Sequence, residues 1–411
     1  MLFYLLLCVI GLRTVAGWNI ALDVTTHAGG AFGGEPFSVQ PIVTVNNKRG
    51  ELQSSFEGRV TVQIETTTFP DGKYEPVWKE GEAVPTVATL VSEGVVDGRA
   101  TFCTGLGIDA SGEGYRLKYI LHDEHGLIMG TVFGDEFAVE VGEKYRLGFV
   151  IQPEMAYGGS AFGSQPSLAI LDRGGNVVTD VNEGTVSVEL QNSGPPTAGA
   201  TLRCRVDAGG LNVPVKNGLA DFRELFINEA GTHYSLRFST TDIVLDEGQS
   251  EVTSNEFSVG VGPGTEIVLI KDASYDGSVV LGGRAFASQP RAEVHDAGGN
   301  VIVDDSLSAV RVSFYSNPSK GKLLSARGGT TGRLEQGVVQ FRGLSIDKAG
   351  VGYRLKYEFL IYEGAQLHET SISTLGEQEL CCVILLNGRS GIFLIIQIYE
   401  YDVYHRIIFQ C

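Results

Sequence analysis

The chain has 411 residues, with 54 Gly, 13 Pro and only 19% charged side chains. At about 100–200 residues per domain that is two to four domains. The formal charge of −18 argues against wrapping nucleic acid or coating an anionic membrane, and 43% hydrophobic residues suffice for packed cores. No apolar run reaches the ~18 residues of a spanning helix, and six Cys are too few for a disulfide framework.

Residues 1–17 read as a secretory signal peptide, with an apolar stretch from Phe3 to Ile10 and small residues at Ala16 and Gly17. The body after it is one unit written three times. Gln40-Pro41, Gln165-Pro166 and Gln289-Pro290 recur at spacings of 125 and 124 residues, each behind a Gly-rich stretch containing Phe37, Phe162 or Phe286. A turn follows each: Asn47 to Glu51, Asp172 to Asn176 and Asp296 to Asn300, with Gly50, Gly175 and Gly299 in register. Copies two and three share Asp-x-Gly-Gly-Asn, while copy one reads Asn-Lys-Arg-Gly-Glu. Later in each unit come Phe102, Phe222 and Phe341, then Leu106, Leu225 and Leu344, then Tyr115, Tyr234 and Tyr353. Copies one and two close on Phe137-Ala-Val139 and Phe257-Ser-Val259.

Within the units the hydrophobic period is two. Val60, Val62 and Ile64, then Val186, Val188 and Leu190, then Val310, Val312 and Phe314 alternate with polar residues. That predicts strands with one buried and one wet face, separated by Gly/Asp/Asn turns. The expected fold class is all-β: three tandem Ig-like antiparallel sandwiches in an extended array. The units are residues 18–142, 143–263 and 264–386, with an unrelated tail at 387–411. Each repeated Tyr stands just after a Gly corner, where a tyrosine corner would sit, but Leu117, Leu236 and Leu355 replace the antibody-type Cys, so packing must replace the inter-sheet disulfide.

The Phe-x-x-Gln-Pro, Asp-x-Gly-Gly-Asn, Gly-x-Ala-x-Phe (Gly218, Ala220, Phe222) and Ala-Gly-x-x-Tyr elements resemble the tandem Ig-like repeats of large surface proteins, of the bacterial invasin/intimin type. The closing Phe-x-Val-x-Val strand also resembles the end of a filamin-type repeat. The resemblance implies adhesion or a stalk role in a secreted or cell-surface protein. Joints at Val141-Gly142-Glu143-Lys144 and Val261-Gly262-Pro263-Gly264 are short, which predicts a semi-rigid rod; the alternative is beads hinging at Gly142 and Gly264. The tail after Leu380-Cys381-Cys382-Val383 loses the repeat and is expected to be a truncated or mis-spliced end of a longer parent chain, or a real strand pair.

Chemistry is sparse. His122-Asp123-Glu124-His125 is the densest group of potential ligands, so His122 and His125 are the metal candidates, with a polar hairpin turn as the plainer reading. Asp172, Asp296 and Asp304-Asp305 invite a calcium reading, but a site needs about six to eight oxygens, and Asp beside Gly-Gly-Asn is first a turn former. No cofactor is expected. Cys103, Cys204, Cys381, Cys382 and Cys411 leave their disulfide state open. No nucleophile elbow, zinc-helix motif, phosphate loop or N-glycan acceptor occurs, and no enzymatic activity is expected. Leu22-Asp23-Val24 resembles an integrin-recognised tripeptide but falls in the first expected strand. The long loop from Thr66 to Val95, with Phe69, Tyr74 and Trp78, is the candidate binding surface. The expected function is adhesion or macromolecular interaction with an extracellular protein or glycan. The alternatives are a pure spacer and, more distantly, a carbohydrate-binding module.

Overall fold

The computed structural model describes residues 20–66, 90–91, 94–102, 105–192, 199–205, 210–246, 248–274, 280–325, 329–376 and 380–383. The signal-peptide and tail expectations, and Phe69, Tyr74, Trp78 and Cys103, lie outside these residues. Every regular element described is a strand, so the all-β expectation holds.

The same wiring recurs along the chain. Ile20–Thr26, Ile42–Asn47 and Arg99–Thr101 make one three-stranded sheet. A second sheet orders Ala31–Phe32, Ile128–Glu140, Gly112–Asp123, Gly58–Thr66 and Leu90–Val91 side by side. Next, Arg146–Ile151, Ser167–Leu171 and Leu219–Asp221 repeat the three-stranded pattern. Their counterparts downstream are Glu266–Lys271, Arg291–His295 and Val338–Gln340. In each set a two-residue strand pairs in parallel with the closing strand: Ala31 with Val139, Ala156 with Val259, Val280 with Cys382. All other ladders are antiparallel. The chain thus leaves its first sheet at a Gly-rich corner and enters the other, which gives both sheets the same first segment. This arrangement is consistent with Ig-like repeats.

Alternation places the apolar side chains. Val60 and Val62, Val186 and Val188, and Val310 and Val312 are all buried. The buried side chains form a first core around Val43, Val60 and Tyr119, a second around Leu168, Leu225 and Phe238, and a third around Val294, Leu344 and Tyr357.

Two polar devices repeat inside every core. The Tyr115, Tyr234 and Tyr353 hydroxyls donate to the carbonyls of Ala110 (2.9 Å), Glu229 (3.3 Å) and Lys348 (3.1 Å), five residues upstream each time. These are tyrosine corners. The repeated Gln does more than its motif suggested. Gln165 Nε2 donates to the Phe162 and Leu225 carbonyls at 3.1 and 3.2 Å, and its Oε1 accepts the Leu225 N–H at 3.0 Å. Gln40 and Gln289 do the same to Leu106 and Leu344. A side-chain amide so stands in for a neighbouring strand, pairing a segment that the Pro after it could not.

One position separates the copies. Tyr357 Oη donates to Asp272 Oδ1 at 3.0 Å, the second copy has Phe238 there, and the buried Tyr119 hydroxyl has no partner among the described residues. A buried unpaired hydroxyl costs about 1–3 kcal/mol. Tyr119→Phe is therefore expected to stabilise the chain by about 1 kcal/mol in urea unfolding, while Tyr357→Phe destabilises it by a similar amount. Gln165→Ala should cost about 2 kcal/mol. Loss of stability in Tyr119→Phe would show that its hydroxyl is paired.

Candidate functional site

The Asp-x-Gly-Gly-Asn turn begins as a local structure. Asp172 N donates to Asn176 O (2.9 Å) and Gly175 N to Asp172 O (3.2 Å), and Gly175 takes φ +90°. Asp172 Oδ1 accepts the Asn176 backbone N–H at 2.8 Å. Asp296–Asn300 repeats this frame, with Gly299 at φ +91°. Copy one keeps it too: Asn47 Oδ1 accepts the Arg49 and Glu51 amides at 2.8 and 3.0 Å, and its turn stands exposed.

Copies two and three use the turn for more. The Asp172 carboxylate is fully buried, and its Oδ2 accepts the N–H of Gly142 at 2.9 Å. Asn176 Nδ2 donates to both Asp172 oxygens and to the carbonyl of Asp109 at 2.6 Å, while its Oδ1 accepts the Ser111 N–H at 2.9 Å. Asp109 and Ser111 follow Ile108 of the first core, and Asp172 follows Leu171 of the second strand set. The turn therefore bridges the two cores. The bridge recurs atom for atom one unit later. Asp296 Oδ2 accepts Gly262 N (2.9 Å), Asn300 Nδ2 donates to Asn228 O (2.8 Å), and Asn300 Oδ1 accepts Ala230 N (2.9 Å). The Asp296 side chain is 2% exposed.

Each motif letter follows from this geometry. Asp offers two acceptor oxygens for backbone amides. Only an amide at the last position can donate to one backbone and accept from it with the same planar group. The first Gly allows close approach: a Cβ on Gly174 or Gly298 would collide with the Asp109 or Asn228 carbonyl. The second supplies positive φ. The receiving surface is a glycine pair as well. A Cβ on Gly33 or Gly158 would strike the Asp and Asn side chains, and one on Gly34 or Gly159 the turn backbone. In copy one Arg49 and Glu51 fill the places of Gly174 and Asn176.

Each neutral hydrogen bond contributes on the order of 1 kcal/mol net, and one to a charged group somewhat more. Three bridging bonds, about 3 kcal/mol, hold an opened junction to the order of 1%. Hinging at Gly142 does not fit this, since its N–H is tied to Asp172. Gly264, the other hinge candidate, lies against Val294, Phe359 and Ile302.

The rims differ. At the first junction Arg173 Nε meets Glu35 at 2.7 Å, its Nη2 meets Asp246 at 2.9 Å, and its guanidinium carbon lies 4.3 Å over the Tyr145 ring, all partly exposed. Ala297 takes its place at the second. Asp109 stands where the second junction has neutral Asn228. Burial, and then the charge of Asp172, push the Asp109 carboxyl above its ordinary range.

The other candidates fall elsewhere. His122–Gly126 is a hairpin turn in which Asp123 Oδ1 accepts the His125 and Leu127 amides at 2.9 and 2.8 Å. His122 Nε2 pairs with Thr61 Oγ1 at 3.0 Å, and His125 lies 3.6 Å from Glu124. Asp305 Oδ1 accepts the Leu307 and Ser308 amides. No group of three or more His, Cys, Asp or Glu side chains converges among the described residues. Cys204 Sγ contacts the Arg223 carbonyl at 3.2 Å. In the Leu22-Asp23-Val24 segment Asp23 is exposed while Val24 is buried, so a partner could reach the carboxylate but not the tripeptide. The expected Thr66–Val95 loop contains a short strand, Leu90–Val91, paired with Thr61 and Val62. No helix among the described residues is long and apolar enough to cross a membrane.

No family model matches this chain, and no curated protein does. Among solved structures it is similar to the Escherichia coli adhesin FdeC, at 13% identity over 87% of this chain and 96% of that one, with a TM-score of 0.31. It is also similar to domains 4–9 of the surface layer protein SbsC, at 14% identity over 89% of this chain and 48% of that one, TM-score 0.20. A third is latent PorU of Porphyromonas gingivalis, at 12% identity over 89% and 34%, TM-score 0.20.

Asn176→Asp keeps the shape but puts a carboxylate against Asp172 and the Asp109 carbonyl. Amide exchange at Ser111 is expected to quicken about 100-fold with core amides unchanged; unchanged exchange at Ser111 would contradict the bridge. Asp109→Asn should stabilise the first junction at pH 7. An acid whose folded pKa is raised carries a penalty when ionised, absent below the unfolded value near 3.8 and complete once pH exceeds the folded value. The gain in melting temperature from Asp109→Asn should therefore fade as pH is lowered toward 4.

Proposed function

We propose that the chain is a non-enzymatic array of three Ig-like sandwiches, at residues 18–142, 143–263 and 264–386, acting outside the cell. In this reading it holds its loops in fixed relative orientation and presents them to an extracellular protein or glycan in adhesion. The observation that supports this most is the repetition of one buried Asp–Asn bridge at both junctions, where a chain of independent beads would need no such device. Phe69, Tyr74 and Trp78 remain the proposed contact surface, since aromatic side chains on a loop held by a rigid scaffold make efficient anchors. A spacer or stalk uses the same rigidity, and the two readings part at the loop.

Small-angle scattering and a binding panel test both levels. The full chain should scatter as a stiff elongated particle, and the double variant Asn176→Asp/Asn300→Asp as a more flexible one. Identical profiles would contradict the array. Against immobilised matrix proteins and glycans, adhesion predicts binding that falls at least about tenfold in Tyr74→Ala/Trp78→Ala with scattering unchanged. Blank panels with a stiff profile favour the spacer.

A further inference from the structure

The bridges have a receiving half and an inserting half, and the third core carries a receiving half that nothing among the described residues fills. Those of its parts that lie among the described residues are in place. Gly282-Gly283 matches Gly33-Gly34 and Gly158-Gly159, and Gly283 N donates to Ile346 O at 2.7 Å, just as Gly34 N donates to Ile108 O (3.1 Å) and Gly159 N to Ile227 O (2.9 Å). Gly283 keeps φ +83°, beside +73° and +68° at Gly34 and Gly159. Asp347 and Ala349 stand in register with Asp109 and Ser111, and with Asn228 and Ala230. The difference is the cover. Gly33, Gly158 and Gly159 are buried, whereas Gly282 is half-buried and Gly283 exposed. A Cβ on Gly283 would meet nothing within 4 Å, while one on Gly34 or Gly159 would run into an inserted turn. The Ala349 N–H, which matches the two amides that donate to Asn176 and Asn300, has no partner among the described residues.

We infer that the Gly282-Gly283/Asp347/Ala349 surface is a docking socket for the Asp-x-Gly-Gly-Asn turn of a further Ig-like repeat. The inference rests on the tandem-repeat reading above. The occupant is identified by chemistry. It needs an amide that donates to the Asp347 carbonyl and accepts from Ala349, and a glycine narrow enough to pass that carbonyl. A second copy of this chain does not qualify at its leading end. Glu51 has no donor for the Asp347 carbonyl, and Arg49 occupies the place of the narrow glycine. The two turns that qualify, Asp172–Asn176 and Asp296–Asn300, are already inserted in their own junctions.

Hydrogen exchange on the full chain and on an extended one tests the socket. In the full chain, Ser111 and Ala230 amides should be protected and Ala349 should exchange fast. Fast exchange at Ser111 and Ala230 would sink the tandem-array reading itself; slow exchange at Ala349 would mean that the chain's own residues cover the socket and would overturn only the inference. In the extended chain a further copy of residues 141–263 follows Val383. Its folding is read from the rise in calorimetric unfolding enthalpy, and Ala349 exchange should slow about 100-fold. The same extension with Gly283→Val in the socket should show no slowing. A folded extension that leaves Ala349 as fast as in the parent overturns the inference. Should that copy not fold, residues 18–142 serve as the extension. They are expected to protect Ala349 only with Asn47→Asp, Arg49→Gly and Glu51→Asn together, and equal exchange with and without those changes overturns the inference too.

Discussion

A carboxylate can leave water only where donors replace its hydration. Asp172 and Asp296 do so at the seams between cores, where each carboxylate accepts backbone amides and an Asn side chain. That requirement shapes everything nearby. The donors come from two different strand sets, so satisfying the carboxylate fixes one set against the other. Glycine is needed on both sides because the approach is backbone to backbone. Close packing of small residues around a satisfied polar group gives a junction that is specific in orientation without a large apolar interface.

The cores apply the same economy inside. With Leu117, Leu236 and Leu355 in place of inter-sheet cysteines, the sheets are held by buried aromatic and aliphatic side chains, the Tyr hydroxyl at each corner and the Gln amide behind each Phe. The Phe pairs seat that corner: Phe37 meets Phe137 edge-on at 5.5 Å, and Phe162 meets Phe257 at 5.6 Å. The third core has Leu380 in that closing strand. The seams are similar but not identical in charge, since Asp109 and Arg173 at the first face Asn228 and Ala297 at the second. The first seam is therefore the one whose strength should follow pH and salt.

Much of this was legible in the sequence. Period-two runs located the central strands, because a half-buried strand must alternate, and the registered Tyr residues located the corners. The Asp-x-Gly-Gly-Asn segments were legible as turns and nothing more. Their partners are the Asp109 and Asn228 carbonyls and the Ser111 and Ala230 amides, and backbone groups leave no residue-type signature. One signal did exist. The motif is present in copies two and three and absent from copy one, where Arg49 and Glu51 stand in an exposed turn. A turn that served only itself would have no reason to differ in that way. The repeated Gln was visible as a landmark, but its role depends on a carbonyl 60 residues away at Leu225. The metal and calcium readings rested on residue types alone; His122 is bonded across the sheet to Thr61, and Asp123 and Asp305 are occupied with local turn bonds.

The proposed function rests on what the seams permit. Loops on separate cores can act together on one partner, or keep a fixed reach from a surface, only if the cores do not tumble independently. Residual dipolar couplings of the full chain in a dilute aligned medium measure this directly. The account predicts that amides of the three strand sets report one common alignment tensor, and that Asn176→Asp splits the first set from the other two. Three different tensors in the unaltered chain would contradict it.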